Sequence, residues 1–244
     1  LLESNQSKAV AVGTTIVSSR LLIAVAESFG ATYFETLTGF KWIANHAITL
    51  KEENIEFLMG YEEAIGYTIG DLVRDKDGVS SLLTIALLAS HLRSENKTML
   101  DYLEEIYRAH GLYLTTQKSL ALKPGSDAGE LGALLRQNPP ATIGGQAVCA
   151  TADLLTSTRT NSDGHTEAVD LPQSDVLTFY LDDRSRVIVR PSGTEPKVKC
   201  YYEIIHPIPD GTDFESERRN ALNTMEALVN AHQGELAALK ASAG

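Results

Sequence analysis

Apolar positions along the chain change period several times, and the changes mark its elements. Residues 9–17, Ala-Val-Ala-Val-Gly-Thr-Thr-Ile-Val, are rich in β-branched side chains and predict a strand running into a helix over 20–28. Ser18 or Ser19 is placed to cap that helix, and Gly30 to stop it. A second strand is predicted over 31–37, breaking at Thr38-Gly39 into a helix over 40–47. A third, over 56–61, stops at Glu62-Glu63. Such alternation predicts an α/β domain with largely parallel pairing. Two helices follow. The one over 79–94 is apolar nearly all round and is expected to be buried, with Asp77 as its cap or first-turn acid. The one over 99–110 is amphipathic and closed by Gly111.

The pattern then changes. Lys123-Pro-Gly-Ser-Asp-Ala-Gly129 and Asn138-Pro-Pro140 interrupt it, which places a domain boundary near 111–130. Drawn at 115, that boundary divides the chain into domains 1–115 and 116–244. Beyond it the spacing predicts a helix over 130–136, a strand over 142–151, a polar loop over 156–167, and strands over 175–181, 186–190 and 197–205. The turn Asp182-Asp183-Arg184 joins the first two of these last strands. A final helix carries Leu222, Met225, Val229, His232, Leu236 and Leu239 as one stripe, with His232 read as a packed side chain. The fold class is therefore one α/β domain with a mixed, largely parallel sheet, then a smaller α+β domain with an antiparallel sheet and helices on one face.

Composition narrows the choice of partners. Of 244 residues, 43% are hydrophobic and 22% charged, the balance of a globular chain, and the net charge of −11 disfavours nucleic acid and anionic membrane. The same repulsion acts on a phosphorylated metabolite, so a phosphate site must rest on a local cluster of donors. Cys149 and Cys200 form no C-x-x-C pair and are read as core thiols, although a disulfide between them stays open. The most apolar run, 79–92, is too short and too interrupted by Ser and Thr to span a bilayer. The start, Leu-Leu-Glu-Ser-Asn-Gln, has no basic region and no initiating Met, so no signal peptide is expected and the chain reads as a piece of something longer.

Three segments carry candidate chemistry. In Arg190-Pro-Ser-Gly-Thr-Glu-Pro-Lys197, Arg190 ends a strand, while Ser192, Gly193 and Thr194 offer two hydroxyls and three successive N–H groups. Gly193 permits a backbone that converges them on one point. Lys197 and Lys199 fall on one strand face and add charge. A phosphate needs such donors plus a cation that grips two oxygens; a hairpin turn with solvated charges has the same spacing. In Gly60-Tyr-Glu-Glu-Ala-Ile-Gly-Tyr67, the Glu62 and Glu63 carboxylates follow an apolar strand, where α/β sheets bind ligands. They suit sugar hydroxyls or a base, and equally a helix N-terminus. In Thr36-Leu-Thr-Gly-Phe-Lys41, Thr38 and Gly39 form a strand-to-helix turn and Lys41 follows, placed either to meet an anion or to stand in water.

In this order, the three segments resemble the C-terminal half of the α-D-phosphohexomutase superfamily. Glu35-Thr-Leu-Thr-Gly-Phe-Lys-Trp-Ile-Ala44 is similar to a turn of the family's third domain, Glu62-Glu63-Ala64 to its sugar-binding loop, and Arg190-Pro-Ser-Gly-Thr-Glu-Pro196 to its fourth-domain phosphate loop. Tyr61 to Tyr67, with Asp75-Lys-Asp-Gly-Val-Ser80, is closest to the phosphoglucomutase/phosphopentomutase branch, whose bacterial members often carry the name phosphomannomutase. The likeness runs from about Gly13 to the final helix, and Ala64 stands where many members have Ser. The resemblance implies an enzyme moving a phosphoryl group between C1 and C6 of a hexose, or C1 and C5 of a pentose, through a phosphoserine and a bisphosphate. It implies Mg2+ and an activator of the glucose 1,6-bisphosphate type, a cytoplasmic location, and partnership with an N-terminal half bearing the serine and magnesium loops. Neither loop occurs here, so the segment is expected to bind phosphosugar and to be inactive alone. It assigns substrate binding to Glu62, Glu63, Lys41, Thr38 and Gly39, and phosphate binding to Arg190, Ser192, Gly193, Thr194, Lys197 and Lys199. A non-catalytic phosphosugar-binding module or a structural fragment are the alternatives.

Overall fold

The computed structural model describes residues 1–3, 9–122, 128–191 and 196–242. It divides into two compact units, Leu1–Gly111 and Leu112–Gly244. The break falls at Gly111, whose positive φ of 95° ends a helix, and the strand that follows belongs wholly to the second unit.

The first unit runs β1 (Val10–Thr15), α1 (Leu21–Ser28), β2 (Thr32–Thr36), α2 (Phe40–Glu52), β3 (Glu56–Tyr61), β4 (Tyr67–Ile69), α3 (Gly78–Ser94) and α4 (Met99–His110). Its sheet has the order β2-β1-β3-β4, with β1 parallel to both neighbours and β4 antiparallel at the edge. The central strand β1 is buried throughout, as a strand covered on both faces must be. Its alternation sends Ala11 into one cluster with Phe34, Ile43, Ala47, Leu50 and Phe57. Val10 and Val12 go into another with Ala26 and Leu58. Helices α2 and α1 thus cover opposite faces. Gly13 carries no side chain because a Cβ there would run into the Phe34 ring.

Two expectations fail here. The cap of α1 is Arg20, without a side-chain bond; Ser18 Oγ is engaged by Thr15 and Glu63, while Ser19 Oγ accepts from Leu21 N, the first N–H of the helix, at 3.1 Å. Helix α3 is not buried either: Val79, Leu82, Leu83, Ile85 and Leu87 are all exposed, and Leu92 alone is buried. Its inner side carries Ser80, Ser81 and Thr84, whose hydroxyls donate back to the carbonyls of Asp77 and Ser80. Asp77 does cap the helix, accepting from Val79 N and Ser80 N.

The second unit contains β5 (Leu112–Ala121), α5 (Gly129–Gln137), β6 (Thr142–Ile143), β7 (Gln146–Asp153), β8 (Thr158–Asn161), β9 (Thr166–Ala168), β10 (Leu177–Leu181), β11 (Arg186–Pro191), β12 (Lys197–His206) and α6 (Phe214–Ser242). The sheet order is β5-β12-β11-β10-β7-β8-β9, antiparallel throughout, with β6 paired to β7. This unit and its sheet are the larger of the two, not the smaller. The strand expected over 142–151 is split, because Gly144 and Gly145 both take positive φ and turn the chain between β6 and β7. The polar segment 156–167 is not a loop: β8 and β9 form a hairpin at the sheet edge, where both faces meet water. The break at 123–127 lies outside the described residues.

Under α6, the sheet presents Val187, Val189, Val198, Cys200 and Tyr202, all nearly inaccessible. The helix meets it with Ala221, Met225, Leu228, Val229, His232 and Leu236, while Leu222 turns out to solvent. The Tyr202 hydroxyl lies 2.9 Å from His232 Nδ1 and accepts from Gln233 Nε2 at 2.6 Å. Burial pushes the His232 imidazole down to about 4 and the Cys200 thiol up to about 11. Cys200 is a free core thiol; Cys149 is also free but exposed, its Sγ donating to Tyr180 O.

Candidate functional site

In the first unit, the loops leaving β1, β2 and β3 meet at the carboxyl ends of these parallel strands. This is the end where open α/β sheets take ligands, and connections leave β1 and β3 on opposite sides. Hydrogen bonds between distant residues hold the loops together. Thr14 Oγ1 donates to Tyr61 O at 2.7 Å, which ties β1 to the end of β3. Glu62 N donates to Gly66 O at 3.0 Å, so residues 62–66 form the hairpin loop between β3 and β4. The two glutamates therefore do not begin a helix of their own. Gly66, at φ 101°, closes the loop where a Cβ would strike the Lys76 side chain.

The Glu62 carboxylate accepts from Gly39 N at 2.5 Å. Gly39 caps α2, so Glu62 supplies from another loop the acid that the N-terminus of α2 lacks in its own first turn. Glu63 Oε1 accepts from Ser19 N at 2.5 Å, and Glu63 N donates to Ser18 Oγ at 3.3 Å. Ser18 in turn contacts Thr15 Oγ1 at 3.0 Å. Glu62 is half-buried and Glu63 exposed, so carboxylate surface is still offered to hydroxyl donors once these bonds are made. Thr38 and Gly39 thus lie beside Glu62. Lys41, in the first turn of α2, is exposed with its Nζ 5.1 Å from the Trp42 ring. Ser18 and Ser19, read from the sequence as capping residues alone, are here tied to Glu63, and Thr14, Thr15, Ser18 and Ser19 are all buried.

In the second unit, β11 and β12 place Arg190 directly opposite Lys199, and Lys197 lies two residues further along the same face of β12. Arg190 and Lys199 are both half-buried, and among the described residues neither has a carboxylate partner. The same ladder face carries a second pair four residues away, Arg186 opposite Glu203. There the Nε–Oε1 distance is 3.1 Å, and both side chains are almost wholly buried. One rung is neutralised within the protein; the other sets two like charges side by side, an arrangement that is destabilising by itself. Ser192, Gly193 and Thr194 lie outside the described residues.

No group of three or more His, Cys, Asp or Glu side chains among the described residues is arranged to hold a metal ion. Asp75 pairs with Lys76, Asp77 caps α3, and Asp183 accepts from Ser185 N. No helix among the described residues is long and apolar enough to cross a membrane.

Comparison with known proteins agrees with this two-part architecture. Residues 1–110 match the family model "Phosphoglucomutase/phosphomannomutase, alpha/beta/alpha domain III", and residues 156–204 match "Phosphoglucomutase/phosphomannomutase, C-terminal domain". A protein of Haemophilus influenzae named probable phosphomannomutase is 36% identical over 214 residues, which is 87% of this chain and 40% of that protein. The phosphopentomutase of Homo sapiens is 34% identical over 242 residues, 94% of this chain and 39% of that one. The solved open form of the phosphoglucomutase parafusin from Paramecium superposes with a TM-score of 0.60 at 18% identity, over 91% of this chain and 38% of that one, and shares the fold. The chain thus spans about two fifths of the length of these relatives. With both family models in chain order, one on each compact unit, the protein belongs to the phosphoglucomutase/phosphomannomutase family and carries its domain III and C-terminal domain.

Proposed function

We propose that this chain is the phosphosugar-holding part of a sugar phosphomutase. The reaction of the whole enzyme interconverts a sugar 1-phosphate with the 6-phosphate of a hexose, or the 5-phosphate of a pentose, through a phosphoserine and a bisphosphate intermediate. The observation that carries the reading is the Arg190–Lys199 rung, two opposed cations without a carboxylate among the described residues, on a ladder that neutralises Arg186 with Glu203. A bound phosphate removes that repulsion. The guanidinium grips two oxygens in a plane, and the ammonium of Lys199 adds a point charge beside it. Lys197 and the segment Ser192, Gly193, Thr194 extend the same grip.

Glu62 and Glu63 accept hydrogen bonds from ring hydroxyls, and their ties to Gly39 and Ser19 hold them ready without reorganisation. Lys41 supplies positive charge at the start of α2. None of these groups is a nucleophile. The phosphoserine, the magnesium ion and the activation by a bisphosphate belong in this reading to the remainder of a full-length cytoplasmic enzyme, and the magnesium would supply charge neutralisation at the transferring phosphoryl group.

Calorimetric titration of the 244-residue chain tests the reading. Glucose 1,6-bisphosphate is expected to bind weakly, with an affinity that falls as salt rises, and glucose is expected to give no heat. Equal binding of the two would overturn the phosphate assignment. The purified chain is also expected to show no turnover of glucose 1-phosphate, and measurable turnover would contradict the division of labour.

A further inference from the structure

The nine-residue helix α5 has no side-chain cap, buries Leu131, Gly132 and Leu135, and carries Arg136 in its last turn. The guanidinium is bidentate on Asp153, with Nε to Oδ2 at 2.8 Å and Nη2 to Oδ1 at 2.9 Å. Nη2 also lies 2.8 Å from Asp175 Oδ1, a charge contact whose geometry falls short of a hydrogen bond, so that this buried oxygen relies on the guanidinium alone. The three side chains are largely withdrawn from solvent, at 20, 16 and 35% exposure. The hydrogen bonds that Arg136 donates to Asp153, and then the contact with Asp175, outweigh burial and hold Arg136 more firmly charged.

The placement of these carboxylates gives the anchor its reach. Asp153 ends β7, and Asp175 lies two residues before β10. Leu177, the first residue of β10, pairs with Asp153 on one side and with Val189 of β11 on the other. Arg136 therefore straps α5 across one end of three adjacent strands, and Arg190 and Pro191 follow Val189 at that same end. One turn back, Gly132 is buried against the strap. A Cβ there would stand 3.0 Å from Arg136 Nη1, 3.3 Å from Asp175 Oδ1 and 3.5 Å from Pro191 Cγ. The helix is seated at contact distance on the residue that follows Arg190, with no slack between strap and strand.

We infer that Arg136, strapped to Asp153 and Asp175 and backed by Gly132, is a positioning residue that sets where Pro191, and with it Arg190, stands at the anion-gripping edge. This rests on the phosphosugar reading of that edge. A guanidinium that grips two oxygens tolerates little displacement, and shifts of the order of an ångström lower efficiency steeply.

The test compares Arg136→Gln, Arg136→Lys and Gly132→Ala with a control, Leu236→Ala, which opens a cavity under α6 in the same unit. Glucose 1,6-bisphosphate affinity is measured below each unfolding transition, together with deuterium uptake of the segment 186–198. The Gln variant is expected to bind about ten-fold more weakly or worse, with faster uptake at 186–198. The Lys variant recovers part of the affinity, the Gly132 variant falls between, and Leu236→Ala binds like wild type while losing stability. Wild-type affinity in Arg136→Gln, or an equal loss in Leu236→Ala, overturns the inference. Should Arg136→Gln fail to fold, the Lys and Gly132 variants decide by the same criteria. If the wild-type chain binds no bisphosphate, the phosphosugar reading falls, and unchanged uptake at 186–198 in the variants then rejects the strap separately.

Discussion

The two candidate surfaces hold their charge in opposite ways. In the first unit the carboxylates of Glu62 and Glu63 are each tied to a backbone N–H, of Gly39 and Ser19, at loops 23 and 44 residues away. Their charge is met by peptide dipoles, and their surface suits neutral hydroxyls. In the second unit Arg190 and Lys199 face one another across a ladder, and neither has a carboxylate partner among the described residues. In the proposed reading the first surface is complete as folded, whereas the second is completed by an anion, and that difference separates a sugar-reading part from a phosphate-holding one.

The largest effect that sharpens this contrast comes from the neutralised rung. Arg186→Ala removes the guanidinium beside the Glu203 carboxylate, which is 2% exposed. The second unit is expected to lose about 3–5 kcal/mol in urea unfolding, with the first unit unaffected. Trp42 is the only tryptophan and lies in the first unit, so its fluorescence follows that unit separately.

Acid should divide the units next. His232 is 2% exposed, and burial holds its pKa at about 4 against 6.5. The unfolded chain therefore binds a proton that the folded chain refuses between these values. Stability of the second unit is retained above pH 6.5 and falls as pH drops from 6.5 towards 4, by about 3 kcal/mol in all. The first unit has no buried histidine, since His46 and His91 are exposed and His110 half-buried. Unfolding free energies at successive pH values check this, and His232→Gln should flatten the dependence.

Lys199→Glu has the smallest effect on stability and the most informative sign. Placing a carboxylate opposite Arg190 replaces a like-charge rung by an opposite-charge one and should stabilise the second unit by ~0.2–1 kcal/mol. The same change should abolish bisphosphate binding. A stabilised variant that still binds would break the contrast between the two surfaces.

Much of this organisation is legible in the sequence, and the failures have physical causes. The βαβ run from β1 to β3 is readable because buried parallel strands are continuous apolar segments. Strand β5 is not, because it pairs only with β12 and exposes Thr115, Gln117, Lys118 and Ser119 along an edge. Helix α3 misleads because apolar content does not say which side faces inward: Leu82, Leu83 and Leu87 point out, while Ser81 and Thr84 face in. Helix α6, more polar overall, buries Met225, Val229 and Leu236 because those fall on one stripe. At the site, residue types alone mark Glu62, Arg190 and Lys199. Gly39 is marked by its strand-to-helix turn, but its bond to Glu62, and the bonds of Ser18 and Ser19 to Glu63, are invisible until the loops are brought together, because no local spacing encodes a contact across 23 to 45 residues.

The phosphate grip at the β11–β12 edge is tested most directly by titrating glucose 1,6-bisphosphate into the wild-type chain and into Arg190→Ala at the same salt. Loss of the bidentate, charge-assisted contact should weaken binding by about 1.5–3 kcal/mol, roughly ten- to a hundred-fold. Equal affinities for the two proteins would contradict the account.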